Sequence, residues 1–382
     1  MKHNRMDTTP RRGRSFDASR GRSSRTDASS GGSPKKPKAL FICGSINQTT
    51  QMHAIARELP EVDPWFTPYY VDGYLEVIRK LGLADMTIFG RPWAAKCFAY
   101  LEEQGLQIDY QGKAHEHDYQ LVLTAQDAFV PPNTEGKKRI LIQEGMTDPE
   151  GFLYHLVKAF PFLPRWIAST APTGLSHQYD KFCVASEGYR DLFVRKGCDP
   201  AKLVVTGIPN FDDCAKYREN TIPHRDYVLV CTSDTRETFK FEDRYAFLRR
   251  VRGIARGRQI VFKLHPNENP IRNVREILEI CPDAIVYTSG SAEQLVANCS
   301  TLVVEYSSLA FVGLALGKEV YANYDIAELR RLLPLQHGRG AKNIANVARE
   351  LLGLPIRADD DGVRPTRERE ARSSRVSETS AA

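Results

Sequence analysis

Short, unbroken apolar runs recur along the chain, each separated from the next by a segment with helical spacing. The first is 38–43 (KALFIC), ended by Gly44-Ser45 and followed by helical periodicity over 47–59. Strands are expected again at 119–124 (YQLVLT), 139–142 (RILI), 181–185 (KFCVA) and 203–206 (LVVT), with a helix over 187–196. A polar stretch carrying a proline, 211–225, interrupts the series, and the same rhythm then restarts. Strands are expected at 227–232, 259–264, 284–288, 302–305 and 319–322, and helices over 244–255, 270–280, 292–298, 309–316 and 343–352. Runs that do not alternate apolar with polar positions belong to parallel sheets covered on both faces. The expected fold class is therefore α/β, with two doubly wound domains, 38–210 and 226–355, facing across a cleft and joined by the linker 211–225.

Composition changes this picture only at the ends. Residues 1–37 are rich in Arg, Ser, Gly and Pro and poor in large apolar side chains, so they cannot offset their ordering entropy and are expected to be disordered. Residues 356–382 read as a second disordered tail. The first 38 residues hold eleven Lys/Arg against three Asp/Glu, and residues 355–382 hold six of each sign, so the +6 chain has a body of −2. A basic tail on an acidic body makes nucleic acid an unlikely ligand of the fold. The tail itself is expected to offer peripheral contact with anionic membrane. No apolar run approaches the length of a membrane span, and a cytoplasmic chain, peripheral at the inner membrane face, is expected. Eight cysteines, several inside strand-like runs and none in a C-x-x-C pair, read as buried thiols. His115 and His117 alone make no zinc signature, so no metal site is expected.

In doubly wound sheets ligands collect beyond the carboxyl ends of strands, which is where chemistry is sought. Lys263-Leu264-His265-Pro266-Asn267-Glu268 follows the run QIVF, and Pro266 restricts His265 to extended backbone, aiming its imidazole out of the sheet. A histidine there can donate to a phosphate oxygen. Glu305-Tyr306-Ser307-Ser308 links the run LVVE to an apolar helix, so Ser307 is a candidate N-cap and the pair of hydroxyls a candidate anion seat. Gly44 and Ser45 form the first turn, with one glycine too few for any nucleotide fingerprint. Glu144 follows the run RILI and is a candidate general base. Thr232 and Ser233 open the second domain as turn formers or phosphate donors.

The runs Phe262–Glu268 and Val303–Ser308, some forty residues apart, together resemble the donor domain of GT-B-fold transferases, above all the CDP-glycerol glycerophosphotransferases. They are also similar to the non-hydrolysing UDP-N-acetylglucosamine 2-epimerases. Val184–Gly188 with Val205–Asn210 looks like the end of the first domain in both groups. The resemblance covers roughly 38–352 and implies a GT-B-like pair of Rossmann-like domains. In the transferases the histidine and the paired serines contact donor phosphates, a role that falls here on His265, Ser307 and Ser308, with Lys263 and Glu305 beside them. Glu305 stands where those transferases usually carry Asp, Leu309–Gly313 holds no carboxylate, and Glu144 is the nearest equivalent of a first-domain histidine base.

The resemblance implies a metal-independent transferase that moves a sugar or polyol-phosphate unit from a nucleotide-activated donor to a glycan or lipid-linked acceptor in cell-surface polysaccharide synthesis. It implies no cofactor beyond the nucleotide-activated substrate. A sugar-nucleotide 2-epimerase and a catalytically degenerate GT-B-like binding module are the alternatives.

Overall fold

The computed structural model describes residues 35–357, apart from 84, 86, 161, 234 and 238–241. The two segments expected to be tails lie almost wholly outside this range.

Two parallel sheets organise the chain. The first holds β1 (Lys38–Cys43), β2 (Asp63–Pro68), β3 (Tyr119–Thr124), β4 (Lys138–Ile142), β5 (Lys181–Val184) and β6 (Leu203–Val205), in the order β2-β1-β3-β4-β5-β6. Helices α1 (Ile46–Arg57), α2 (Gly73–Lys80), α3 (Arg91–Glu103), α4 (Phe152–Ala159) and α5 (Glu187–Lys196) intervene. The second holds β7 (Val228–Cys231), β8 (Ile260–Lys263), β9 (Ile285–Tyr287), β10 (Thr301–Val303) and β11 (Glu319–Tyr321), in the order β11-β10-β7-β8-β9. Its helices are α6 (Arg244–Ala255), α7 (Pro270–Ile280), α8 (Ala292–Asn298), α9 (Leu309–Ala315) and α10 (Ile326–Leu332). The order in which successive parallel strands are added reverses between β1 and β3 in one sheet and between β7 and β10 in the other, and each such switch opens a crevice at the carboxyl ends.

Local chemistry explains the element ends. Ser45, Ser186, Asp243, Asn269 and Ser291 each accept a backbone N–H from the first turn of the helix that follows. Pro270 opens α7, where a missing N–H costs nothing, and Gly197 closes α5 in the left-handed region. β2 carries Pro64 and Pro68 and is the last strand of its sheet, paired with β1 on one side and meeting only a single bridge, Phe66 to Ile108, on the other, a position at which proline is tolerated. Those prolines hid it from the pattern analysis.

The last helix, α11 (Gly340–Leu352), departs from expectation. The sequence pattern placed it with the second domain, 226–355. Instead Ile344, Ala345, Val347 and Ala348 pack with Phe41, Met52, Ile55 and Leu121 on the first sheet. The buried Arg349 fixes this docking by donating to Glu61 and to the Glu58 carbonyl. A second core runs from one sheet to the other: Phe182, Tyr189 and Phe193 join Leu229, Leu302 and Phe311, with Tyr189 and Phe311 edge to face at 6.2 Å. The linker contributes a short 3₁₀ turn, Cys214–Arg218, packed against α8 and α9. All eight cysteines are buried free thiols.

Candidate functional site

The carboxyl ends of both sheets open onto one cleft. Its larger chamber, about 620 Å³, is lined by Asn47 and Thr50 of α1 and, opposite, by residues that directly follow β7, β8, β9 and β10. A smaller chamber, about 200 Å³, lies on the first-sheet side. Asn47, Phe211 and Ser308 line both chambers, so the two meet at those residues.

Thr232, Lys263, His265, Ser307 and Ser308 all line the larger chamber, the grouping expected from sequence. Two of them, Thr232 and His265, are held by Glu268. Its carboxylate, with no solvent exposure, accepts from the Thr232 hydroxyl, from the His265 backbone N–H at 2.8 Å and from Arg244 at 2.6 Å. Arg244 is itself buried and pairs with Glu242 at 2.9 Å. Burial is the main influence on Glu242 and raises its carboxyl above the usual range, against the pull of Arg244. Thus a buried ionic network fixes the backbone of the loop after β8. The imidazole Nδ1 of His265 accepts from the Asn267 N–H at 3.2 Å, so the ring's own N–H is at Nε2. The Lys263 ammonium is buried in the chamber wall and donates to the Leu264 carbonyl at 2.7 Å.

Ser307 makes the capping bond expected of it, although Ser308 holds the cap position itself. Ser308 occupies the cap position of α9 in αR backbone without a side-chain cap bond, whereas Ser307 Oγ accepts from the Leu309 N–H at 3.3 Å. Ser308 lines both chambers.

Glu144 lines the smaller chamber, beside Gln126, Gln143, Thr147, Thr170 and Thr173. Its two oxygens accept from Ser45 Oγ and Gln48 Nε2, each at 2.6 Å. Ser45 therefore both caps α1 and orients Glu144. A Cβ at Gly44 would come within 2.1 Å of Gln48 Oε1, so the glycine leaves room for the side chain that holds the carboxylate. Gly44 and Ser45 line neither chamber. Ser233 bonds Thr235 at 2.6 Å and Glu305 accepts the Asn323 N–H through its carbonyl; both also lie outside the chamber linings, and Asp234 lies outside the described residues.

Sequence reasoning missed Ser291 and Glu293, which line the larger chamber after β9. Ser291 caps α8 and donates to Glu293 at 2.7 Å. The signal was present as Ser291-Ala292-Glu293-Gln294, a capping box after an apolar run. It also missed the scaffold role of Glu268, whose partners Thr232 and Arg244 are 36 and 24 residues away.

No family model matches the sequence, and no curated protein matches it. Solved structures do match in fold. A protein assigned as a UDP-N-acetylglucosamine 2-epimerase from Listeria monocytogenes aligns with a TM-score of 0.55 at 15% identity, over 85% of this chain and 99% of that one. The S. aureus MnaA–UDP complex aligns with a TM-score of 0.53 at 11% identity, over 86% and 100%. The Neisseria meningitidis UDP-GlcNAc 2-epimerase bound to UDP-GlcNAc aligns with a TM-score of 0.51 at 12% identity, over 82% and 100%. Two parallel sheets, flanking helices and these neighbours together show that the chain has the GT-B-like architecture its motifs imply.

Proposed function

We propose that this chain binds a nucleotide-activated sugar or polyol phosphate in the cleft and transfers its sugar or polyol-phosphate unit to an acceptor hydroxyl, in the synthesis of a cell-surface polysaccharide or glycan. One observation carries the reading: a cation, an imidazole and hydroxyls from the ends of β7, β8 and β10 converge on one wall of a 620 Å³ chamber. Such a wall suits a diphosphate, because donors fixed in a poorly solvated site stabilise charge that grows as the leaving group departs. His265 donates from Nε2, Lys263 supplies positive charge, and Ser307, Ser308 and Thr232 offer hydroxyls. On this reading the protein donors take the part a metal would otherwise play, and no cofactor is needed beyond the donor substrate. The Glu293 carboxylate and Ser291 hydroxyl suit the vicinal diol of the ribose.

The reacting centre then falls where the two chambers meet, at Ser308. Glu144 faces it from the first lobe. A carboxylate that already accepts from Ser45 and Gln48 keeps lone pairs for an acceptor hydroxyl and receives its proton as the new bond forms. The neutral amides and threonines around it suit a hydroxyl-rich acceptor or sugar ring.

A second reading, sugar-nucleotide 2-epimerisation, is supported by structural neighbours whose names carry that activity and by neighbours whose complexes hold UDP or UDP-GlcNAc. The deciding experiment begins with melting shifts against UDP-, CDP-, GDP- and dTDP-linked compounds. One class is expected to stabilise the wild type, while His265→Ala and Ser308→Ala lose the response. Product analysis on that ligand follows. Transfer requires an acceptor and releases the nucleotide, whereas an epimer that keeps its nucleotide without acceptor establishes the second reading. Binding without turnover on any acceptor would mark a degenerate module. Absence of any nucleotide-dependent shift would remove the proposal.

A further inference from the structure

Two neighbouring loops of the second lobe carry a tyrosine each. β10 runs into Glu305-Tyr306-Ser307-Ser308, and β11 into Ala322-Asn323-Tyr324. The strands are parallel partners, so their carboxyl ends leave the sheet side by side. The Asn323 N–H donates to the Glu305 carbonyl at 3.0 Å and ties the loops together. The phenol rings meet edge to face with centroids 5.3 Å apart. Tyr324 is half-buried, whereas Tyr306 is 63% exposed. A single exposed tyrosine means little by itself, so its surroundings decide what it does.

The pair adjoins the smaller chamber from both lobes. Ser308, in the Tyr306 loop, lines that chamber, and so do Thr147 and Thr170 of the first lobe. Asp148 follows Thr147 and is clasped by Thr170. The Thr170 hydroxyl and N–H both donate to its carboxylate, at 2.7 and 3.2 Å, and the Asp148 N–H donates to the same hydroxyl at 2.8 Å. Burial, and after it the charge of Asp148, raises the Tyr324 phenol above its usual range, so this carboxylate faces the ring across the gap between the lobes. One continuous surface thus leads from Glu144 inside the chamber, past Thr147 and Asp148, to Tyr324 and Tyr306 at the rim.

The chemistry of this surface selects its occupant. Amides, hydroxyls and the Glu144 carboxylate line the smaller chamber, and no lysine, arginine or histidine is among its described lining residues. With Asp148 added at the rim, a phosphate-bearing chain meets only charges of its own sign. The chamber, about 200 Å³, is smaller than the roughly 300–1,000 Å³ that encloses a drug-sized ligand. A longer acceptor must therefore continue onto the rim. A pyranose ring carries hydroxyls at its edge, which suit amides and carboxylates, and C–H groups on its faces, which suit an aromatic ring. We infer that the acceptor is an uncharged oligosaccharide whose terminal unit enters the smaller chamber and whose next unit stacks on Tyr306. The inference rests on the transfer reading and gives it an acceptor class.

The test applies the full chain to an array of neutral hexose and N-acetylhexosamine oligosaccharides, with glycerol phosphate oligomers beside them, and titrates the best binder by calorimetry. A neutral oligosaccharide is expected to bind more tightly than its terminal monosaccharide. Tyr306→Ala should weaken the oligosaccharide about tenfold, the effect of truncating an aromatic anchor, and leave the monosaccharide unchanged. Tyr306→Phe keeps the ring and should keep the affinity. Circular dichroism checks the fold of both variants. The melting shift of the wild type with nucleotide-linked compounds is read in parallel. A shift without binding of any neutral saccharide overturns the inference and leaves the nucleotide reading standing. Saccharide binding that Tyr306→Ala loses, without any shift, supports the subsite and removes the nucleotide reading. Tighter binding of the glycerol phosphate oligomers, no gain with saccharide length, or equal binding by Tyr306→Ala also overturns the inference.

Discussion

Replacing Glu268 by alanine tests the framework that holds the candidate diphosphate wall. Its carboxylate is completely buried and satisfies three donors: the Thr232 hydroxyl, the His265 backbone N–H and Arg244 Nη2. Removing one partner of a buried ion pair costs about 3–5 kcal/mol, because the other charge stays behind without compensation. Orphaning the Thr232 and His265 donors would add about 1–3 kcal/mol each in a sealed interior. Here both residues border the cleft, where water can replace the lost acceptor, and Glu242 still faces Arg244 at 2.9 Å. These terms share one network and do not add, so the expected loss stays at about 3–5 kcal/mol. Glu268→Gln keeps the shape and one acceptor oxygen and should lose less. Urea unfolding monitored by intrinsic fluorescence gives the loss, and the nucleotide-induced melting shift gives the effect on the wall. If Glu268→Ala unfolds within about 1 kcal/mol of the wild type and keeps its nucleotide response, the carboxylate does not organise the loop and the reasoning fails.

Two glycines should respond with opposite sign to the same substitution. A Cβ at Gly188 would lie 2.0 Å from the Arg331 backbone carbonyl, so Gly188→Ala should destabilise by about 1–3 kcal/mol as α5 and α10 are forced apart. Gly253, inside α6 with nothing within 4 Å of its Cβ, should gain up to about 1 kcal/mol as alanine; thermal melts of both variants decide. Burial, aided by Arg57, lowers the His53 pKa below 6.5. A depressed histidine favours the fold while neutral, so its contribution is full above pH 6.5 and is lost as pH falls through the lowered folded value. His53→Gln should flatten that acid limb in urea titrations at stepped pH. Burial pushes the Cys198 thiol to about 11 and those of Cys183 and Cys299 to about 12. Ellman's reagent at pH 8 should therefore label them only as the protein unfolds, and rapid labelling of the native chain would contradict the packing.

The parallel strands were legible because their unbroken apolar runs leave no other placement, as in Val228–Cys231, where every residue is buried. So was the convergence of His265 with Ser307 and Ser308, since carboxyl ends of one parallel sheet point the same way. What escaped was chemistry decided by distant residues. β2 reads as loop because its prolines are tolerable only at an edge, and edge position follows from the whole sheet. Glu268 reads as a solvated loop acid until Arg244, 24 residues earlier, is brought against it. The destination of α11 depends on which sheet lacks cover, and its period is the same on either one.

That return of the chain decides how the cleft can work. On one side the lobes are stitched together: Ser186 Oγ donates to the Leu332 carbonyl and the Leu335 N–H to the Ala185 carbonyl, while the returning α11 is tied to the linker by the Gly340 N–H on Asp212 and to the first lobe by Asn343 Nδ2 on the Thr206 carbonyl. Tyr189 against Phe311 and Gly188 against the Arg331 carbonyl seal the same seam with apolar and backbone contact. Separating such a seam would expose core, so it is the fixed edge. Beside the larger chamber Asn210 Nδ2 donates to the Asn47 carbonyl at 2.8 Å, a bond between the segment after β6 and α1 that lies within the first lobe and does not hold the opposite wall. A ligand that bridges the two walls therefore has leverage at the mouth and none at the seam, and closure by rotation about the 185–189 and 331–343 segments is the motion that expels water without opening the core.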